Sequence, residues 1–246
     1  AARSEATPGA RIAAIVGHAD LLLADAVREV LDAHLDAAEG RFRGIRHTAA
    51  WDPSPEIPTS HSSPPPHLYA DERFRRGLAV LAGMGLTFEA WQFHPQLSEL
   101  ADVAAAVPQA TIIVNHIGAP MGIGPYAGRH DEVRARWRPA MARLATLDNV
   151  VLKVGGIGMA RFGAGFDAWE HPPSSDELRD HWGDDLRFCI DTFGPQRCMF
   201  ESNYPVDAES ASYVVLWNAY KKLSAVYDEA ERTALFRGTA RRVYRI

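Results

Sequence analysis

Side chains that can transfer protons or bind metals follow short apolar runs in this chain. The run Thr111–Val114 leads into Asn115-His116, and the run Thr87–Phe93 leads into His94. Histidine exchanges protons near neutral pH and also binds divalent metals. We therefore predict His116 and His94 as catalytic residues that meet at adjacent strand ends, or as ligands of one divalent metal, zinc first. The alternative is a core histidine hydrogen-bonded to a neighbouring carbonyl group.

Further polar side chains at the ends of the apolar runs form a candidate substrate-binding set. Arginine and lysine bind carboxylates through charge-assisted hydrogen bonds. Two structural alternatives stay open: Arg46 pairing inside the sheet, and Lys153 pointing away from the site. The predicted substrate-binding residues are Arg46, His47, Gln92, Lys153 and Tyr204.

The elements that must position these residues alternate between apolar runs and helical periodicity. Such alternation predicts a parallel α/β sheet with helices outside it. Helices are expected over Leu21–Ala38, Asp71–Gly83, Gln96–Ala106, Asp131–Leu147, Ser174–Phe193, Ser210–Ala225 and Asp228–Tyr244. Strands are expected over Arg11–Gly17, Arg41–Arg46, Thr87–Phe93, Thr111–Val114, Val150–Val154 and Arg197–Phe200.

Polar residues at the end of every strand converge only if the sheet closes. The prediction is therefore a (β/α)8 TIM barrel with its site at the carboxyl ends of the strands. The Gly-rich first turn of a dinucleotide-binding fold is absent from the sequence. Because the six predicted strands fall short of eight, we expect strands three to eight here and two further strand–helix units upstream. Residues 1–246 are interpreted as a single, N-terminally incomplete barrel domain.

One long segment, residues 48–69, contains six prolines and cannot form a helix or a central strand. It is either a linker between domains or a loop over a site. Long loops without secondary structure in compact domains are often functional, and the segment contains Trp51, His61, His67 and Tyr69. We favour the loop, as a mobile cover over the site.

The composition limits the classes of partner. The net charge is −5, with 26 basic and 31 acidic residues and no basic run, so no nucleic acid is expected. No stretch approaches the roughly 18 apolar residues of a membrane span, and no signal peptide is visible. Two cysteines indicate a reduced, cytoplasmic protein. The expected partner is a small-molecule substrate, and a homo-oligomer is compatible with the sequence.

Several motifs in order resemble the amidohydrolase-2 branch of the amidohydrolase superfamily, TIM-barrel metal-dependent hydrolases that include lactonases. They are R-H at Arg46-His47, F-H-P-Q-L at Phe93–Leu97, N-H-x-G at Asn115–Gly118, M-F-E-S-N-Y-P-V-D at Met199–Asp207 and G-T-A-R-R-V-Y-R at Gly238–Arg245. The resemblance covers nearly the whole chain. It implies a hydrolase with a metal site at the top of a barrel.

The chain departs from the family at two places. The H-x-H metal-ligand pair of the family's first strand is absent, which agrees with a missing upstream part or with lost ligands. The family's S-D-x-P at strand eight is replaced by Ser202-Asn203-Tyr204-Pro205. An amide is not a base at neutral pH. Asn203 is therefore expected to orient substrate or water, and the base must be Asp207, Glu201, His116 or His94. The alternative for Asp207 is only a helix cap.

The resemblance and the candidate residues together predict hydrolysis of a small lactone or amide by activated water, with a carboxylated substrate compatible with the cationic residues. Two other functions remain open. One is a metal-dependent, non-oxidative decarboxylase of an aromatic acid, which the same superfamily contains. The other is an inactive barrel that binds ligand, which the absent H-x-H pair and Asn203 suggest.

Overall fold

The computed structural model describes residues 11–59 and 62–246, and each predicted strand is present within them. All neighbouring strands are parallel, and the strands lie side by side in sequence order. They are β1 (Ile15–Gly17), β2 (Phe42–Thr48), β3 (Thr87–Trp91), β4 (Ile112–Val114), β5 (Val150–Val154) and β6 (Cys198–Phe200).

The sheet curls into a half-barrel, which confirms the α/β class and the barrel-like arrangement. Two additional strand–helix units upstream remain a prediction. Four strands, β1, β3, β4 and β6, are shorter than the apolar runs predicted, whereas β5 has the predicted bounds and β2 continues to Thr48. Arg11–Ala14, for example, precede β1 without belonging to it.

Helices follow the strands and cover the convex face. Two of the predicted helices begin with an N-terminal cap at their first predicted residue. Asp71 accepts a hydrogen bond from the Arg73 backbone N–H, and Ser174 forms a capping box with Glu177. The helices are α1 (Val27–Ala37), α2 (Glu72–Gly83), α3 (Leu97–Ala106), α4 (His130–Ala145), α5 (Ser175–Phe193), α6 (Tyr213–Leu223), α7 (Glu229–Thr233) and α8 (Thr239–Tyr244).

Two of the predicted helices are interrupted. The first begins as a 3₁₀ helix, Leu21–Ala26, with Ala24 at a φ of 51°, and only then becomes α1. The last is divided by a π-helical turn, Ala234–Gly238, between α7 and α8. Periodicity alone does not reveal such breaks, because the apolar side chains on both sides of each break still reach the core.

Strand register separates two faces of the sheet. Arg46 pairs with Glu89, and Glu89 pairs with Ile113, so their side chains point to the same face. That concave face carries a small apolar cluster of Ile113, Val151, Met199 and Tyr244. The convex face and the helices form the main core. The concave face is therefore where charged and polar side chains gather.

The segment between β2 and α2 contains no strand, and its first helical turn is Leu68–Ala70, within the part that the structure describes. His61 lies outside the described residues. Ile57 is buried, and the Trp51 carbonyl accepts a hydrogen bond from Gln96 at 2.9 Å. No helix in the described part of the chain is long and apolar enough to cross a membrane.

Candidate active site

A cavity of about 740 Å³ opens beyond the carboxyl ends of the strands. This is the position where parallel α/β proteins bind their ligands. Residues of β1, β2 and β3 line it, together with residues of the segments that follow β4, β5 and β6. The polar lining residues are His18, Arg46, Thr48, Ser62, Glu89, His116, Arg161 and Asn203.

His116 and Glu201 form a buried pair at this cavity. His116 follows β4 and is 3% exposed, while Glu201 follows β6. The His116 Nδ1 lies 2.5 Å from Glu201 Oε1, which also accepts the His116 backbone N–H at 3.1 Å. Burial alone would raise the pKa of Glu201, but His116 and Lys153 outweigh that effect and lower it. The ionised Glu201 therefore accepts the Nδ1 proton, and Nε2 is left as the basic nitrogen.

Glu89 is the centre of a second buried network on the concave face. Its Oε1 accepts hydrogen bonds from Lys153 Nζ at 2.8 Å and from the Tyr244 hydroxyl at 2.6 Å, and its Oε2 accepts one from Arg46 Nη2 at 2.8 Å. Burial opposes ionisation, yet Lys153 and Arg46 lower the Glu89 pKa to about 2. Both cations that were expected to hold a substrate carboxylate are therefore engaged by a carboxylate of the protein.

Lys153 connects the two networks. Its side chain points to the concave face, and Nζ lies 3.8 Å from Glu201 Oε2 as well as 2.8 Å from Glu89 Oε1. The outward orientation considered for Lys153 does not occur. A cation between two carboxylates stabilises both in their ionised forms.

Asn203 and Asp207 form a pair at the rim of the cavity. Asn203 lines the cavity, with a φ of 49°, and its Nδ2 donates to Asp207 Oδ1 at 2.6 Å. Asp207 itself is fully buried, is not among the residues lining this cavity, and accepts a second hydrogen bond from the Gly158 backbone N–H at 3.0 Å. Burial raises the pKa of Asp207 to about 7. This placement suits Asp207 to holding Asn203 rather than to contacting a substrate.

His94 does not meet His116. Beyond β3 the chain turns into a short 3₁₀ helix, which places His94 beside Tyr126, with ring centroids 4.9 Å apart, in a separate small cavity. Its Nδ1 accepts the Met121 backbone N–H at 3.3 Å, and burial lowers its pKa to about 4. His116 instead packs against Trp91, at 4.9 Å between ring centroids. The structure thus contradicts the expected meeting of the two histidines.

Three predicted substrate-binding residues lie outside the cavity. His47 and Gln92 each follow a cavity-lining residue directly, so strand alternation turns them to the opposite face. His47 Nδ1 accepts the Leu21 backbone N–H at 3.2 Å, and Gln92 accepts the Tyr69 hydroxyl at 3.2 Å. The Tyr204 hydroxyl donates to the Ala211 carbonyl at 2.6 Å.

Arg161 is a cavity residue that sequence reasoning missed. It belongs to a short 3₁₀ helix after β5, and its guanidinium lies 6.0 Å from the ring centroids of Trp91 and Phe93. Within the described residues its Nη1 is buried without a hydrogen-bond partner. Burial lowers the pKa of Arg161, and the charge of Glu209 opposes that effect only in part. A partly buried guanidinium with an unused N–H donor favours an anionic ligand. No motif surrounds Arg161, whereas Glu89 could have been noticed as an acid inside an apolar strand.

The described residues do not by themselves fit the expected zinc ion. Zinc sites in proteins use three or four protein ligands. In residues 11–59 and 62–246, no group of three His, Cys, Asp or Glu side chains lies close enough to hold a metal ion. His116 and Glu201 engage each other, and Glu89 is surrounded by donors. These side chains can instead supply a base and hydrogen-bond donors to a reaction.

Comparison with known proteins gives a consistent result over nearly the whole chain. A family model described as Amidohydrolase matches residues 6–246. The uncharacterized protein y4mH of Sinorhizobium fredii is 33% identical over 232 residues, covering 94% of this chain and 69% of that protein. The L-fucono-1,5-lactonase of Burkholderia multivorans is 32% identical over 244 residues, covering 96% of this chain and 72% of the lactonase.

Solved structures agree with these sequence matches. An amidohydrolase from Burkholderia multivorans with bound HEPES superimposes with a TM-score of 0.77 at 29% identity, covering 98% of this chain and 76% of that one. A second crystal form with bound zinc gives a TM-score of 0.76 at 29% identity, covering 96% and 74%.

Proposed function

Because the chain belongs to the amidohydrolase family, we propose that it hydrolyses a small lactone that carries a carboxylate, with His116 activating the water. The observation that carries the proposal is the buried contact of 2.5 Å between His116 Nδ1 and Glu201 Oε1 at the large cavity. A carboxylate that fixes the histidine tautomer is the usual way to present a basic nitrogen to a substrate. The lactonase relative supports the ester class of substrate.

The proposed reaction proceeds in two proton transfers. The His116 Nε2 takes a proton from water while the water oxygen attacks the lactone carbonyl carbon, and Glu201 stabilises the imidazolium that forms. The tetrahedral oxyanion is stabilised by an N–H donor of the cavity, for which the Asn203 amide is the candidate. When the intermediate collapses, the ring C–O bond breaks, and His116 returns its proton to the leaving alkoxide. The product is the open hydroxy acid.

The carboxylate on the substrate is inferred from Arg161. Arg46 and Lys153 are neutralised by Glu89, so they add little attraction for an external anion. Arg161 lines the same cavity as His116, and its buried Nη1 has no hydrogen-bond partner among the described residues. An arginine in such surroundings binds a carboxylate in two-point fashion and holds the lactone in one orientation.

A matched substrate panel tests the proposal. Neutral δ-lactones and the same rings bearing a carboxylate are offered to the purified chain, and ring opening is followed by acid release. We expect the carboxylated lactones to be hydrolysed faster than the neutral ones. Carbon dioxide release from an aromatic acid without lactone opening would replace the proposal with the decarboxylase. Parallel assays with EDTA and with added zinc separate proton transfer by His116 from chemistry at a metal.

A further inference from the structure

We propose that Tyr244, in the last helical turn of the chain, is a positioning residue for the active site, and that it acts through Lys153 on the His116–Glu201 pair. The inference rests on the hydrolysis proposed above. It adds the C-terminal helix to the parts of the molecule on which turnover depends.

The Tyr244 hydroxyl is held firmly in place. Tyr244 is 9% exposed, and its ring packs with Ile113, Val151 and Met199 on the concave face. Its backbone carbonyl accepts a hydrogen bond from Arg43 Nε at 2.6 Å. The hydroxyl therefore reaches Glu89 from a fixed direction, at 2.6 Å.

A continuous series of polar contacts leads from this hydroxyl to the base. Tyr244 and Lys153 share one oxygen, Oε1 of Glu89, at 2.6 and 2.8 Å. Lys153 Nζ lies 3.8 Å from Glu201 Oε2, and Glu201 Oε1 contacts His116. Each step joins a hydrogen-bond donor or cation to a carboxylate, so a change at one end alters the charge felt at the other.

The hydroxyl has a definite effect on Lys153. By donating to Oε1, Tyr244 takes up part of the negative charge that otherwise attracts Lys153. Lys153 is thus left between Glu89 and Glu201 instead of being drawn wholly to Glu89. Burial and Glu89 raise the Tyr244 pKa, so the phenol remains a donor.

Packing alone does not require this hydroxyl. The ring of Tyr244 lies in an apolar cluster, where phenylalanine would fill the same space. Burying a hydroxyl costs free energy unless it finds a partner, and here the partner is Glu89, which also accepts hydrogen bonds from Arg46 and Lys153.

The test compares two tyrosines whose hydroxyls donate to carboxylates. Tyr244→Phe removes the hydroxyl that donates to Glu89, and Tyr227→Phe removes one that donates to Asp191 Oδ1 at 2.8 Å, outside the cavity. We expect Tyr244→Phe to lower kcat about tenfold with KM little changed, because Lys153 is then drawn to Glu89 and no longer holds Glu201 against His116. Tyr227→Phe should keep both constants. Thermal melts of both variants show that each is folded.

A second measurement does not depend on turnover. The Nδ1 proton of His116 in its short contact with Glu201 gives a low-field NMR resonance. We expect it to move further downfield in Tyr244→Phe, because a Glu201 carboxylate that is no longer shared with Lys153 is a stronger acceptor, and to stay in place in Tyr227→Phe. If no lactone is hydrolysed, the proposed function fails while this resonance still tests Tyr244. A resonance and a kcat that are both unchanged in Tyr244→Phe would overturn the inference. So would an equal loss of kcat on Tyr244→Phe in a Lys153→Met background, since Tyr244 would then not act through Lys153.

Discussion

A single oxygen of Glu201, Oε1, contacts both the ring Nδ1 and the backbone N–H of His116, at 2.5 and 3.1 Å. The two residues follow β4 and β6, so the contact spans β5 at the carboxyl end of the sheet. It fixes the rotation of the imidazole as well as its tautomer. For kcat, the negative charge on this oxygen should therefore matter more than the presence of an oxygen atom at this position.

Replacing this carboxylate by an amide is the first prediction. Glu201→Gln keeps the shape but removes the charge that stabilises the imidazolium, and its oxygen is a weaker acceptor for Nδ1–H. We expect kcat to fall by about 10²–10⁴, measured by acid release from a carboxylated lactone. Glu132→Gln, at an exposed pair with Arg129 on α4, is the matched control and should leave kcat unchanged. A Glu201→Gln variant with wild-type kcat would remove Glu201 from the mechanism.

His116 and His94 were both predicted from the sequence as catalytic residues, but replacing each by alanine should have different effects on kcat. His116→Ala removes the proposed base and should lower kcat by about 10²–10⁴. His94→Ala removes a side chain buried in a different cavity, so it should lower the melting temperature and leave kcat within about threefold. Rates on one lactone and thermal melts of both variants check this. Equal losses of kcat would return His94 to the active site.

The strand order, the parallel pairing and the helix caps were predictable because they depend on local patterns. Apolar runs ending in Gly or His mark β1 and β4, and Ser174 with Glu177 marks the start of α5. The break at Ala24 was not predictable, since an alanine at positive φ has no sequence signature. Rules based on local sequence do not include the tertiary contacts that hold Ala24 at this φ.

The site was only partly predictable for a related reason. Because they lie at strand ends, His116, Arg46 and Lys153 could be predicted from the sequence at the concave face. The hydrogen bonds by which Glu89 joins Arg46 to Lys153 could not be predicted in this way. Pairing between residues distant in sequence is set by strand register, which a single sequence does not state. Arg161 lies in the connection after β5, where no periodicity in the sequence indicates which way a side chain points.

Arg161 gives a prediction about specificity. Arg161→Met keeps much of the side-chain length and its contact with Trp91 and Phe93 but removes the charge. We expect KM for a carboxylated lactone to rise about ten- to hundredfold through the lost charged hydrogen bonds, while KM for the neutral analogue stays the same. The exposed Arg179→Met is a control for general loss of charge. Equal changes for both substrates would mean that Arg161 does not bind the carboxylate.

Asn203 should contribute less to kcat than the proposed base, His116, does. Asn203→Ala removes a side chain that lines the cavity and releases Asp207 from one hydrogen bond. We expect a fall in kcat of about ten- to hundredfold, as for the loss of one oriented donor, against the larger fall in His116→Ala. Steady-state rates of the two variants on one lactone decide the order. A greater loss in Asn203→Ala would make Asn203 the principal group.

The buried Asp207 predicts a pH dependence of stability. Its pKa is raised from 3.8 to about 7, chiefly by burial and against the hydrogen bonds from Asn203 and Gly158. A carboxyl with a higher pKa in the folded than in the unfolded state keeps its proton on folding, so its contribution to stability declines as the pH rises toward 7. At about 1.4 kcal/mol per pH unit, the free energy of unfolding should fall by about 2–3 kcal/mol from this group between pH 5 and 8.

Asp207→Asn isolates that contribution, because the amide is neutral like the protonated acid and cannot titrate. Urea unfolding of wild type and variant at pH 5, 6, 7 and 8 gives the two slopes, and all other titrating groups cancel in their difference. The variant should be less stable by a constant amount at all four pH values, because its amide nitrogen would face another N–H donor, either that of Asn203 or that of Gly158. The difference between the proteins should then shrink by about 2–3 kcal/mol from pH 5 to 8. Parallel curves would show that Asp207 is already ionised in the folded protein at pH 5, and the hydrogen bonds from Asn203 and Gly158 would then outweigh its burial.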